Sequence, residues 1–142
     1  VTRQTRGAFE TAVLDVVDEY DVELVVLARY MQILSPRMCE ALSGRCINIH
    51  HSFLPGFKGA NPYLQAHERG VKLIGATAHF VTGDLDEGPI IEQRVERVDH
   101  AQTVRQLTAV GQDTESTTLA EAVRLFCEHR TFLDGRRTVV FR

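Results

Sequence analysis

The stretch Cys46-Ile47-Asn48-Ile49-His50-His51-Ser52-Phe53-Leu54-Pro55-Gly56 constrains this chain more than any other. It sets two polar side chains into an apolar run and then stops at a Pro-Gly turn. Successive side chains of a strand point to opposite faces, so Asn48 and His50 share one face while Ile47 and Ile49 point to the other. The turn puts both polar groups near the strand's carboxyl end, where open α/β sheets gather their ligands.

The neighbouring sequence reads as an α/β frame. From Ala8 to Tyr20 the residues Phe9, Val13, Val16, Val17 and Tyr20 recur at helical spacing, with Glu10, Asp15, Asp18 and Glu19 on the other face, which predicts an amphipathic helix. Val22 to Ala28 is a nearly continuous aliphatic run and predicts a strand covered on both faces in a parallel sheet. Ser35-Pro36 caps a short helix that Gly44 ends. Phe53 to Ala60 reads as a loop, before Asn61-Pro62 opens a helix closed by Gly70. Leu73 to Val81 is a further strand, with Thr77 and His79 on one face and Ala76, Ala78 and Phe80 on the other. Thr82 to Pro89 is an acidic turn, and Pro89 to Val98 resumes as a strand. Thr103 to His129 is helical, with Leu107, Leu119, Ala122, Val123 and Phe126 as its buried stripe and a bend expected at Gly111. Thr131 to Phe141 predicts a hairpin turning at Asp134-Gly135. The order predicts a partial doubly wound α/β fold with a mainly parallel sheet, a carboxyl-terminal helix and a hairpin.

At 142 residues, 44% hydrophobic and 25% charged, the chain suits one soluble domain with its own core. A net charge of -3 without a run of Lys or Arg gives no footing for nucleic acid or an acidic membrane. No apolar stretch approaches a membrane span, and Val1 to Gly7 lacks the pattern of a signal peptide, so a cytoplasmic location is expected. Cys39, Cys46 and Cys127 lack metal or redox spacing and read as reduced packing residues. The chain opens without Met and directly into a helix, which leads us to expect a piece of something longer.

Asn48, His50 and Asp86 form the candidate catalytic constellation. His50 can hold or give a proton near neutral pH. Asn48 offers an amide donor suited to an oxyanion. Asp86, from a loop after a neighbouring strand, can set the imidazole's charge state or orient a water. Together they suit attack on a carbonyl through a tetrahedral intermediate. By residue type alone, an Asn and a His on one strand are more often hydrogen-bonded structural groups. Two polar residues in a strand that otherwise reads as core weigh the other way, because buried polar groups cost stability unless paired. His51, His67 and His79 match no ligand spacing, and no metal is expected. Lys58 could meet an anionic substrate tail, although a lone loop lysine is usually solvated. Ser52 lacks the strained Gly-x-Ser-x-Gly turn of a nucleophile.

The three ordered segments Asn48 to Pro55, Gly75 to His79 and Leu85 to Ile91 resemble the folate-dependent formyltransferases, and among them most closely the formyltetrahydrofolate deformylases. The resemblance runs from about Ala8 to Phe141. It implies that Asn48, His50 and Asp86 are catalytic, and that Met31, Gln32, Ile33 and Leu34 bind the pterin of 10-formyltetrahydrofolate together with Val81, Thr82, Gly83, Asp84 and Leu85. It also implies folate as substrate, no prosthetic group and no metal. His51 stands where glycinamide ribonucleotide formyltransferases usually have Pro, and Gly59-Ala60-Asn61-Pro62-Tyr63 is deformylase-like, which favours hydrolysis to tetrahydrofolate and formate, feeding one-carbon and purine metabolism. Formyl transfer to an amine acceptor and a non-catalytic folate-binding module are the alternatives. Against that family, residues 1–142 resemble the carboxyl-terminal part of the catalytic domain, with an amino-terminal regulatory domain and the first β-α units expected to be missing. The resulting exposed edge strand favours a homo-oligomer.

Overall fold

The computed structural model describes residues 5–28, 30, 32–51, 61–84 and 87–142. The predicted elements form: α1 (Arg6–Glu19), β1 (Val25–Leu27), α2 (Pro36–Ala41), β2 (Cys46–His50), α3 (Pro62–Arg69), β3 (Leu73–Phe80), β4 (Ile90–Arg97), α4 (Val104–Cys127), β5 (Thr131–Asp134) and β6 (Arg137–Val140). Local chemistry sets the ends. Ser35 caps α2 by accepting the Met38 N–H, and Thr103 with Gln106 makes a reciprocal capping box at the start of α4.

Four strands form one sheet in the order β1-β2-β3-β4, and β5 and β6 form the terminal hairpin. The sheet is mixed, which corrects the expectation of a mainly parallel one: β1 and β2 run parallel, whereas β2-β3 and β3-β4 are antiparallel. A helix between two strands usually signals a parallel crossover. Here α3 instead packs on α4, through Tyr63, Ala66, Val71, Leu107 and Val110, and the chain returns antiparallel.

Helix α4 covers one face of the sheet. Ala122 and Leu125 meet Ile47, Ala78, Phe80 and Ile91 in a cluster with Leu119 and Phe126 at its margin. The expected stripe on α4 is therefore partly displaced, with Thr114, Thr118 and Leu125 in the core. The two threonines enter at little cost because their hydroxyls donate to the Val110 and Thr114 carbonyls at 2.8 and 2.6 Å. Gly111 does not interrupt α4. A Cβ there would stand 2.2 Å from the Tyr63 ring, so the glycine serves a close approach rather than a bend.

On the other face, α1 and α2 pack Leu14, Val17, Leu34, Met38 and Leu42 over Cys46. The apolar stripe expected on α1 is rotated: Phe9, Val16 and Tyr20 are exposed, and Glu10 is buried beside Leu14 and Val17. β1 is likewise covered on one face only, since Val26 remains 39% exposed. Cys46 is a packing thiol, and burial pushes its pKa up to about 12. Cys127 is exposed, against the expected packing role.

Candidate active site

Strand β2 distributes its side chains as its period of two requires. Ile47 and Ile49 face the α4 core, and Cys46, Asn48 and His50 face the opposite side. Along that side the cover thins: Cys46 lies under α1 and α2, Asn48 stands at their edge, and His50 lines an open cavity. The antiparallel register sets Asn48 opposite His79 and His50 opposite Thr77, so four polar side chains share one patch of sheet. Gln93 of β4 donates to Thr77 Oγ1 at 3.0 Å and fixes that corner. Between Ala78 and His79 the β3-β4 register slips by one residue, a bulge of the kind that gathers beside functional sites.

His79 is 4% exposed, and its Nδ1 lies 2.9 Å from the Phe80 carbonyl oxygen. A carbonyl only accepts, so Nδ1 carries a proton and donates it. His51 stacks on His50, with ring centroids 5.2 Å apart and planes 9° from parallel. His67 is exposed on α3. Asn48 Oδ1 is buried and has no hydrogen-bond partner among the described residues.

Asn48 lies between two cavities. The larger, about 740 Å³, is lined by Tyr30, Gln32, Asn48, His50 and His51 on the strand side and by Tyr63, Gln112 and Glu115 on the helix side. The smaller, about 30 Å³, is lined by Gln32, Ile33, Leu34, Val81, Thr82 and Asp84, with Asn48 and His79 at its back. The two segments singled out as pterin contacts thus face one another across a gap next to Asn48. That gap is the size of about one water.

The loop after β3 is held where it leaves the strand. Phe80 N–H donates to the Pro89 carbonyl at 2.9 Å, and a Cβ on Gly88 would lie 1.7 Å from the Phe80 oxygen, so only glycine fits. Thr82 Oγ1 donates to the Asp84 carbonyl at 3.2 Å. Met31, Leu85 and Asp86 lie outside the described residues, as do Ser52, Lys58 and the rest of the predicted Phe53 to Ala60 loop. Sequence reading missed the far wall of the large cavity, where the Tyr63 hydroxyl donates to Glu115 over Gly111. The signal was the glycine inside α4, but its partner lies on α3, and spacing along the chain does not reveal it.

Among the described residues no helix is long and apolar enough to cross a membrane. Residues 2–123 match the model of the Formyl transferase family. A formyltetrahydrofolate deformylase of a Corynebacterium species is 56% identical over 142 residues, which are 100% of this chain and 50% of that protein. Among solved structures, a formyltetrahydrofolate deformylase from Burkholderia mallei superposes with a TM-score of 0.94 at 65% identity, covering 100% of this chain and 50% of that one. A glycinamide ribonucleotide transformylase from Symbiobacterium toebii superposes at 0.84 with 42% identity, covering 96% and 65%. The chain therefore spans about half the length of the curated deformylases it matches.

Proposed function

The chain belongs to the formyl transferase family, and from that premise we propose that it carries the chemistry of a cytoplasmic 10-formyltetrahydrofolate hydrolase. The observation that carries the reading is the placement of Asn48 and His50 on one face of β2, with a buried Asn48 amide oxygen that lacks a partner among the described residues and a side chain that lines two cavities. The higher identity to proteins named deformylases than to a transformylase supports water as the acceptor.

In this scheme the pterin enters between Gln32 to Leu34 and Val81 to Asp84, and the formyl group reaches the Asn48 and His50 side chains. Water oxygen adds to the formyl carbon. Asn48 Nδ2 and a protonated His50 donate to the oxygen that becomes negative. Asp86 keeps His50 protonated and orients the water. The C–N10 bond then breaks as N10 takes one of the water's protons, the other is released to solvent, and formate and tetrahydrofolate leave. The Asn48 Oδ1 that lacks a partner among the described residues is a costly arrangement of the kind that function retains.

Formate release from 10-formyltetrahydrofolate, with and without an amine acceptor, tests the proposal. Release in water alone is the expected result. Turnover that requires the amine would assign transfer instead, a reading that the 740 Å³ cavity beyond His50 could accommodate.

A further inference from the structure

Glu10 is a charged residue on a face of α1 that the fold buries. It is 5% exposed. Its Oε1 accepts the main-chain N–H of Ser35 at 2.9 Å and Arg6 Nε at 3.2 Å. The first bond joins residues 25 apart in sequence, so it ties two elements together rather than completing one. Burial alone would raise the carboxyl's pKa. Hydrogen bonds from Ser35 and the Arg6 charge outweigh it and hold the group below the ordinary carboxylate range, hence ionised in the fold.

Ser35 directly follows the segment that lines the small cavity, and its backbone is fastened on every side. Its N–H goes to Glu10, its carbonyl accepts Cys39 N–H at 2.9 Å, and its hydroxyl accepts Met38 N–H at 3.3 Å. A second strut joins the same helices, where Arg37 donates to Thr11 Oγ1 at 3.1 Å. At its far side α2 reaches the opposite wall, with Cys39 Sγ 3.5 Å from the Thr82 carbonyl oxygen. α2 is therefore a bridge between the walls of the cavity beside Asn48, and Glu10 holds its entrance.

We infer that Glu10 is a positioning residue for the folate site: through the Ser35 amide it fixes the Gln32 to Leu34 wall relative to Asn48 and the loop after β3. The inference rests on the folate reading above and adds to it a group that never touches substrate. The energetic reason is the strength of a hydrogen bond to an ionised acceptor out of water, which exceeds that of a neutral one. Without it, the wall samples positions from which pterin must first be recaptured.

Glu10→Ala and Glu10→Gln are compared with the parent chain for formate release, for affinity toward 5-formyltetrahydrofolate, and for amide hydrogen exchange at Ile33 to Ser35 and along α4. In Glu10→Ala we expect KM to rise about tenfold with kcat within about twofold, faster exchange at Ser35, and parental exchange in α4. Glu10→Gln keeps an oxygen acceptor and should recover most of the KM. Parental KM and parental Ser35 exchange in Glu10→Ala would overturn the inference, as would loosening of α4 to the same extent as Ser35, which marks a general loss of packing. A parent chain that neither releases formate nor binds 5-formyltetrahydrofolate would overturn the folate reading and the folate role of Glu10 with it. Ser35 exchange would still separate that failure from a failure of Glu10 to hold the segment.

Discussion

Asn48 Oδ1 is buried with no hydrogen-bond partner among the described residues, an arrangement that costs about 1–3 kcal/mol. Removing that amide should therefore affect activity and stability differently. Asn48→Ala is expected to lose about 10²–10³ in kcat, while its stability to urea stays within about 1 kcal/mol of the parent or rises. A large loss of stability would return Asn48 to a structural role. Glu10 makes the opposite case, a buried polar group that is fully used. Its folded pKa lies below its unfolded value of about 4.3, so its contribution is complete above that value and fades as pH falls through the lowered one. Arg6 and Ser35 face it, and it in turn raises the Cys39 thiol, after the larger effect of burial on that group. The stability gap between parent and Glu10→Gln should be constant from pH 7 to about pH 5 and close in the acid range, as read by urea melts at each pH. The shared face of Asn48 and His50 was legible in sequence because a period of two assigns faces without any knowledge of neighbours. Glu10 was not, since a carboxylate at helical spacing reads as solvated until its distant partner at Ser35 is known.

At the scale of elements, caps were the most legible features. The signals at Ser35-Pro36, Pro62 and Gly70 act within one helical turn, although Asn61 makes no side-chain cap bond, and each helix boundary falls within a few residues of its expected place. Strand direction and helix rotation were harder to read. α3 sits between β2 and β3 as a crossover helix would, yet its packing on α4 lets the chain come back antiparallel. On α1 two apolar stripes are compatible with a period of 3.6, and the satisfied Glu10 decides which one turns inward. Gly111 shows how tightly two elements can specify each other. In an exposed helix, Gly to Ala gains about 1 kcal/mol. Here the new methyl meets the Tyr63 ring tip at 2.2 Å and must break its bond to Glu115. Gly111→Ala is expected to lose about 1–3 kcal/mol, whereas the same change in a Tyr63→Ala background should be neutral or stabilising. Additive effects in that double-mutant cycle would mean that the ring and the helix are not coupled.

Across the whole molecule, the same arrangement that opens His50 to a cavity leaves apolar surface uncovered elsewhere. On α1, Phe9, Val16 and Tyr20 face outward, Tyr20 at 71% exposure, and Val26 of the edge strand β1 is exposed as well. The hairpin presents Phe132, Leu133, Val139 and Phe141, of which Phe132 and Phe141 pair edge to face at 5.6 Å. A net charge of -3 gives only weak mutual repulsion to keep copies apart. β1 offers three residues for pairing, enough to nucleate association and too few to guide it into one register. We therefore expect the chain to self-associate as its concentration rises, with light scattering increasing before any loss of helical circular dichroism. A charge at the exposed edge position should oppose this without touching the core, so Val26→Lys is expected to shift sedimentation toward the monomer and leave the thermal midpoint within a few degrees. If Tyr20→Lys has that effect and Val26→Lys does not, the α1 face rather than the strand edge drives association. If neither changes the sedimentation profile, neither the strand edge nor the α1 face drives association.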